Sequence, residues 1–295
     1  MGLGNEQVTL PRQRKPQFWW RPDLAIWKYV IRRALKDDIT ATASQLAFHF
    51  TFTFFPMLMV LAALLTKIEA PFLFARIMYA LRTLLPQSTA ELLVQVLDDV
   101  RDDTGWGILL TGLGLALWWA VGGLHVLICA INSAYGVSDD RPYWKRSLLA
   151  LGMTLLLAVL LVLATALVIG GQWLGLRISS WFGYNAGFIR FWSLLRWPVI
   201  IFCVMCSFLV LYTAAPRLPI SAWRALPGAI LGGGGWVLST SIFAWYIRNF
   251  ASYNRVYGSI GGMIVLMLWL YVGGIIILLG AEFNGALYRR RYGLL

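Results

Sequence analysis

The chain has 295 residues, of which 59% are hydrophobic and 13% charged, and its 25 Lys and Arg against 13 Asp and Glu leave a formal net charge of +12. So apolar a composition excludes an ordinary soluble domain and leaves too few charged residues for a separate soluble ATP-hydrolysing module. A basic excess also suits a nucleic-acid binder, but here it is concentrated in particular connecting segments, as in a membrane protein.

Residues 1–36 form a basic arm carrying Arg12, Arg14, Lys15, Arg21, Lys28, Arg32, Arg33 and Lys36. From Asp23 to Lys36, a helix places Leu24, Trp27, Ile31, Ala34 and Leu35 on one face and Lys28, Arg32, Arg33 and Lys36 towards the other. That is the pattern of a helix lying on an anionic leaflet, or of a solvated basic flank. No short apolar segment with a small-residue cleavage site precedes the first span, which is expected to act as the uncleaved insertion signal.

Residues 37–288 contain six apolar stretches, near 43–65, 107–131, 148–170, 197–215, 226–247 and 260–283. Each is close to the roughly 20 residues a helix needs to cross hydrocarbon. Lipid cannot hydrogen-bond exposed backbone, so the expected fold class is all-α: a polytopic membrane protein with six transmembrane helices plus amphipathic interfacial and outer-loop helices.

In the first span His49 lies with Thr42, Gln45 and Thr53 at near-helical spacing, a polar face that should look into the bundle, and Pro56 is placed to bend the helix. In the following loop Ser88 and Glu91 form a capping box ahead of an apolar stripe through Leu92, Leu93, Val96, Leu97 and Val100. That helix ends in Asp98, Asp99, Asp102 and Asp103, a candidate cation site or a solvated acidic end. The second span carries His125 in a stripe with Gly122, Cys129 and Asn132. Two intramembrane histidines suit a proton relay or a substrate path, or simply hydrogen bonds between helices. They do not complete a three-histidine zinc site, and no HExxH occurs, so neither metal nor cofactor is expected.

Cys203 and Cys206 form a C-x-x-C within the fourth span, where no charge stabilises a thiolate, and read as small hydrophobes. In the fifth span Gly228 and Gly232 make a GxxxG that runs into Gly233, Gly234 and Gly235, either a hinge or a site of close packing. Trp118, Trp119, Trp236 and Trp269 fall near mid-span, where they line a cavity or face lipid. In the sixth, Glu282 stands beside Asn284. Below the headgroups it needs a partner such as Arg217, Arg224 or a histidine; at the interface it is a solvated end. Residues 289–295 close the chain with Arg289, Arg290 and Arg291.

The arm, the second-to-third loop (Arg141, Lys145, Arg146), the fourth-to-fifth loop (Arg217, Arg224) and the tail together hold sixteen of the 25 basic residues. The positive-inside rule then puts both termini in the cytoplasm and accounts for the charge without nucleic acid.

Several blocks resemble the YihY/BrkB family of bacterial inner-membrane proteins: DDITATASQLAFHFTFTFFPM, ICAINSAYGV with RPYWKR, LPGAI, and above all YNRVYGSIGGMIVLMLWLYVGGIIILLGAEF. The resemblance implies a six-helix inner-membrane protein of a family linked to serum resistance in one lineage and to lipid or solute transport in others. It also brings Tyr253, Tyr257 and Gly258 forward beside Glu282, because they fall in the last block. The family usually has an aromatic or apolar residue where this chain has His49, so the resemblance lends nothing to a relay built on it. Some members carry a ribonuclease BN label. Phosphodiester cleavage calls for clustered carboxylates or general acids and bases in a cytosolic cleft, whereas the one acidic cluster belongs to an outer loop.

The expected function is therefore a transporter or lipid translocator of the cell envelope and not an enzyme, with a path along Gln45, His49, His125, Asn132, Tyr253, Tyr257, Gly258 and Glu282. The alternative is a non-transporting scaffold acting through the outer loop and basic arm. The expected partners are membrane lipids, with room for a homo-oligomer, and no nucleic acid.

Overall fold

The computed structural model describes residues 23–67, 106–182, 186–249 and 254–293, and every regular element among them is an α-helix. In chain order these are α1 (Leu24–Lys36), α2 (Ile39–Lys67), α3 (Trp106–Tyr135), α4 (Tyr143–Phe182), α5 (Ala186–Ala214), α6 (Ala222–Asn249) and α7 (Asn254–Arg291). The six helices after α1 are each long and apolar enough to cross a membrane. Each overlaps one expected span. The helices outrun the apolar stretches, α4 continuing to Phe182, because polar residues end a hydrophobic run without ending a helix.

α7 is the hub: it packs on α1, α2, α3 and α6, while α2 pairs with α3, α4 with α5, and α5 joins the α4–α5 pair to α6. The core where these meet contains Leu46, Leu127, Ile128, Ile131, Tyr212 and Ala281. The outer faces stay apolar and uncovered: Trp118 is 76% exposed, and Leu194, Phe202 and Val159 are exposed as well. Surfaces of that kind on every helix need hydrocarbon around them.

Small residues set the helix spacing. A side chain on Gly285 of α7 would run into the backbone carbonyl of Ala134 in α3, and one on Gly274 would press on Ala43 of α2. The expected glycine run lies inside an unbroken α6 and serves mainly as packing: Gly232 accommodates Tyr212 and Phe208, Gly233 accommodates Met205, and only Gly234 faces open space. Gly228 fits against Asn284 and the carbonyl of Gly280. Pro56 likewise leaves α2 continuous, and Gly112 of α3 gives its turn room.

α1 carries a second apolar stripe beside the one expected to meet lipid. It docks on α7 through Ile26 and Val30, which meet Phe283, Ala286 and Leu287, and Trp27 reaches Phe283 with ring centroids 5.3 Å apart. Leu24, Ile31 and Leu35 point outward beside the exposed Lys28, Arg32 and Lys36. Protein contact takes this second stripe, and Leu24, Ile31 and Leu35 of the face expected on lipid stay uncovered. Asp23 pairs with Arg290 of α7 at 2.6 Å, fastening the start of the helix.

The cleft at the basic end

The ends of α1, α3, α5 and α7 and the starts of α4 and α6 gather the basic residues at one end of the bundle, held by side-chain-to-backbone bonds. α3 stops in a Schellman cap: Gly136, at φ +73°, donates to Ser133 O at 2.8 Å and Val137 to Asn132 O at 3.0 Å. Glycine is required there both for the positive φ and because Arg289 packs over it. Asn132 donates to Ile128 O (2.9 Å) and Ala215 O (3.4 Å) and accepts from the Arg217 backbone N–H (2.7 Å), pinning α3 to the loop before α6. Arg141 donates to Pro216 O at 2.8 Å, and Arg217 to Asp140 at 2.8 Å, which holds that carboxyl below its usual range. Asn284 accepts from the Gly228 N–H (2.8 Å) and donates to Ala225 O (3.0 Å); Tyr212 donates to Ile277 O at 2.6 Å. α7 is thereby bonded to both α6 and α5.

Beside this braced framework, α2, α3 and α7 leave a cleft of 420 Å³ lined by Asp37, Thr42, Gln45, His125, Ser133 and Glu282 together with Ile39, Val126, Cys129, Ala130 and Leu278. Ser133 lies two residues from the end of α3 and His125 ten, so the cleft reaches about 15 Å down from the helix end at 1.5 Å per residue. Glu282 is 3% exposed, and its Oε2 has no hydrogen-bond partner among the described residues. Asp37 is engaged, accepting from Arg33 at 2.8 Å and from the Ser133 hydroxyl at 3.1 Å; Arg33 also donates to Ser133 O at 2.9 Å. The groups acting on Glu282 are Asp37, which also shares a side-chain hydrogen bond with it, Arg33 and Arg289, not the expected Arg217 or Arg224. Arg217 is occupied by Asp140 instead.

Of the residues expected on a path, the structure brings Gln45, His125 and Glu282 to one cavity. His49 lies elsewhere, its ring against Gly122 and 5.8 Å from that of Trp119. The hydroxyls of Thr51 and Thr53 fold back onto carbonyls of their own helix, so the polar face of α2 is narrower than its composition suggests. Asn132 is a brace rather than a lining residue. Tyr257 and Gly258 fall in the first turns of α7. Tyr253, the acidic cluster Asp98, Asp99, Asp102 and Asp103, and the Ser88 capping box lie outside the described residues. Sequence reasoning passed over Asp37, Arg33 and Tyr212. The Asp37–Asp38 pair at the mouth of the first span was a usable signal; Tyr212, in an apolar run, gave none.

Six apolar crossings around a half-polar cleft define an α-helical multi-pass membrane protein. Its chain belongs to the virulence factor BrkB family, whose profile matches residues 30–294. It is 30% identical over 268 residues, 91% of this chain and 97% of the relative, to the ribonuclease-like protein YfkH of Bacillus subtilis (strain 168). It is also 28% identical to a UPF0761 membrane protein of Aromatoleum aromaticum, covering 86% of this chain and 61% of that relative. A UPF0761 membrane protein of Pseudoalteromonas translucida is 24% identical, over 96% of this chain and 92% of its own length. No solved structure matches the chain significantly.

Proposed function

We propose that this protein is a transporter or lipid translocator of the bacterial inner membrane, with both termini in the cytoplasm and the cleft between α2, α3 and α7 as the cytoplasmic end of its path. The observation that carries the reading is Glu282: a carboxyl buried in a membrane span, with its Oε2 unpartnered, lining a cleft whose walls are part polar and part aliphatic. Ionisable groups at such depth are costly and mark ligand or ion pathways. The orientation rests on the basic end, which the positive-inside rule assigns to the cytoplasm; reporter fusions at Met1 and Leu295 test it.

In proteoliposomes, flux of labelled lipids or solutes above that of empty vesicles is expected. Flux equal to that of empty vesicles across a broad panel contradicts the reading and favours a non-transporting scaffold. We further propose that the chain is not a ribonuclease, although one relative is named for likeness to one. Among the described residues no three His, Cys, Asp or Glu come together as metal ligands, and the cleft lining offers the phosphate of RNA two acids and no Lys or Arg. Purified, nuclease-free protein is expected to leave RNA intact with or without divalent cations, and metal-dependent cleavage would overturn this.

A further inference from the structure

We infer that the cleft binds a primary ammonium group, with Glu282 as its counter-ion. The assignment rests on the translocation reading and gives it a substrate class. The basic end belongs to a chain of net charge +12, yet no Lys or Arg is among the described residues lining the cleft, whose acids are Asp37 and Glu282. Asp37 is neutralised by Arg33, which is itself bonded to the backbone of Ser133. The other cation acting on Glu282, Arg289, packs over the Gly136 turn and does not line the cavity. The lining therefore sets two acids that hydrogen-bond each other, Asp37 and Glu282, against Arg33, while Arg146 touches the Cys129 sulfur at 3.8 Å without lining the cavity, so an ammonium can take the place of the proton that the two acids share.

The shape of the donor set narrows the ligand. An ammonium carries three N–H donors and needs acceptors around it. Glu282 Oε2 supplies one; Gln45 and Thr42 bring side-chain oxygens, and His125 has a buried Nε2 without a hydrogen-bond partner. A quaternary ammonium is held by aromatic faces instead, and no Phe, Tyr or Trp is among the lining residues. A hard divalent ion wants six or more oxygens, more than one free carboxylate and two neutral side chains provide. Ile39, Val126 and Leu278 offer the aliphatic wall that an alkyl or acyl neighbour of the amine requires, and 420 Å³ suits a headgroup or a small amine. The ammonium can be borne by a lipid headgroup or by a free amine.

The test uses the full chain in detergent and reads retention of lipids with ethanolamine, choline or glycerol headgroups by native mass spectrometry. About tenfold preference for the ethanolamine lipid is expected, lost in Glu282→Gln and partly kept in Glu282→Asp. Displacement by millimolar free ethanolamine identifies a free amine as a source; failure to displace identifies the headgroup. Gln45→Leu, at an exposed position, covers the case of a misfolded Glu282→Gln, with about threefold weakening expected. Equal retention of the three lipids, or full preference in folded Glu282→Gln or Gln45→Leu, overturns the assignment. Flux that persists without ammonium preference sinks this assignment alone, whereas ammonium binding without flux sinks translocation alone.

Discussion

The basic end and the middle of the bundle are built from opposite materials. At the basic end, helices are tied across long sequence distances by Asn132, Asn284, Tyr212, Arg141 and Arg33, each bonding backbone or loop groups of another element. In the middle, α2, α3, α5, α6 and α7 meet through glycine gaps and ring contacts such as His49 with Trp119 and Trp236 with Trp269. In hydrocarbon a polar side chain is valuable only where its partner is fixed: Asn132 and Asn284 brace other elements, while Thr51 and Thr154 bond carbonyls of their own helices. Glu282 stands out because it sits among the braces without serving as one.

Substitutions at the two kinds of contact should separate them. The largest effect is expected from Gly285→Leu, which drives a side chain into the carbonyl of Ala134 and separates α7 from α3; a loss of about 3 kcal/mol is expected, read by reversible unfolding in mixed micelles. Asn284→Ala leaves the Gly228 N–H without its acceptor and should cost about 2 kcal/mol in the same assay. A cost near zero would mean that the brace is ornamental. Within the glycine run the sign should change. Gly234→Ala, into open space, is expected to gain up to about 1 kcal/mol of helix propensity, whereas Gly232→Ala, against the pinned Tyr212, is expected to lose stability. Equal effects at the two positions would return the run to the status of a hinge.

The smallest effect belongs to the exposed Asp140–Arg217 pair. Arg217 depresses the folded-state pKa of Asp140, so whatever stability the pair contributes is present above the unfolded carboxylate pKa and fades as pH falls through the folded value. Arg217→Gln should remove that acid-side dependence and little else, since exposed pairs are weak.

The spans were legible because backbone satisfaction in lipid leaves one solution, and Glu282, Gln45 and His125 were legible because an ionisable or amide group in an apolar run stands out. The braces were not. Asn132 meets residues more than 80 positions away, and no local periodicity encodes that meeting. The docking of α1 on α7 was not legible for a related reason: amphipathicity separates apolar from polar but does not single out a second, adjacent apolar stripe that packs on protein.

Cys129 is exposed and lines the cleft, whereas Cys203 is buried, which provides a native handle on the path. With Cys203→Ala and Cys206→Ala in place, a bulky thiol reagent on Cys129 should abolish flux in proteoliposomes. Complete labelling with flux unchanged would contradict a path through this cleft.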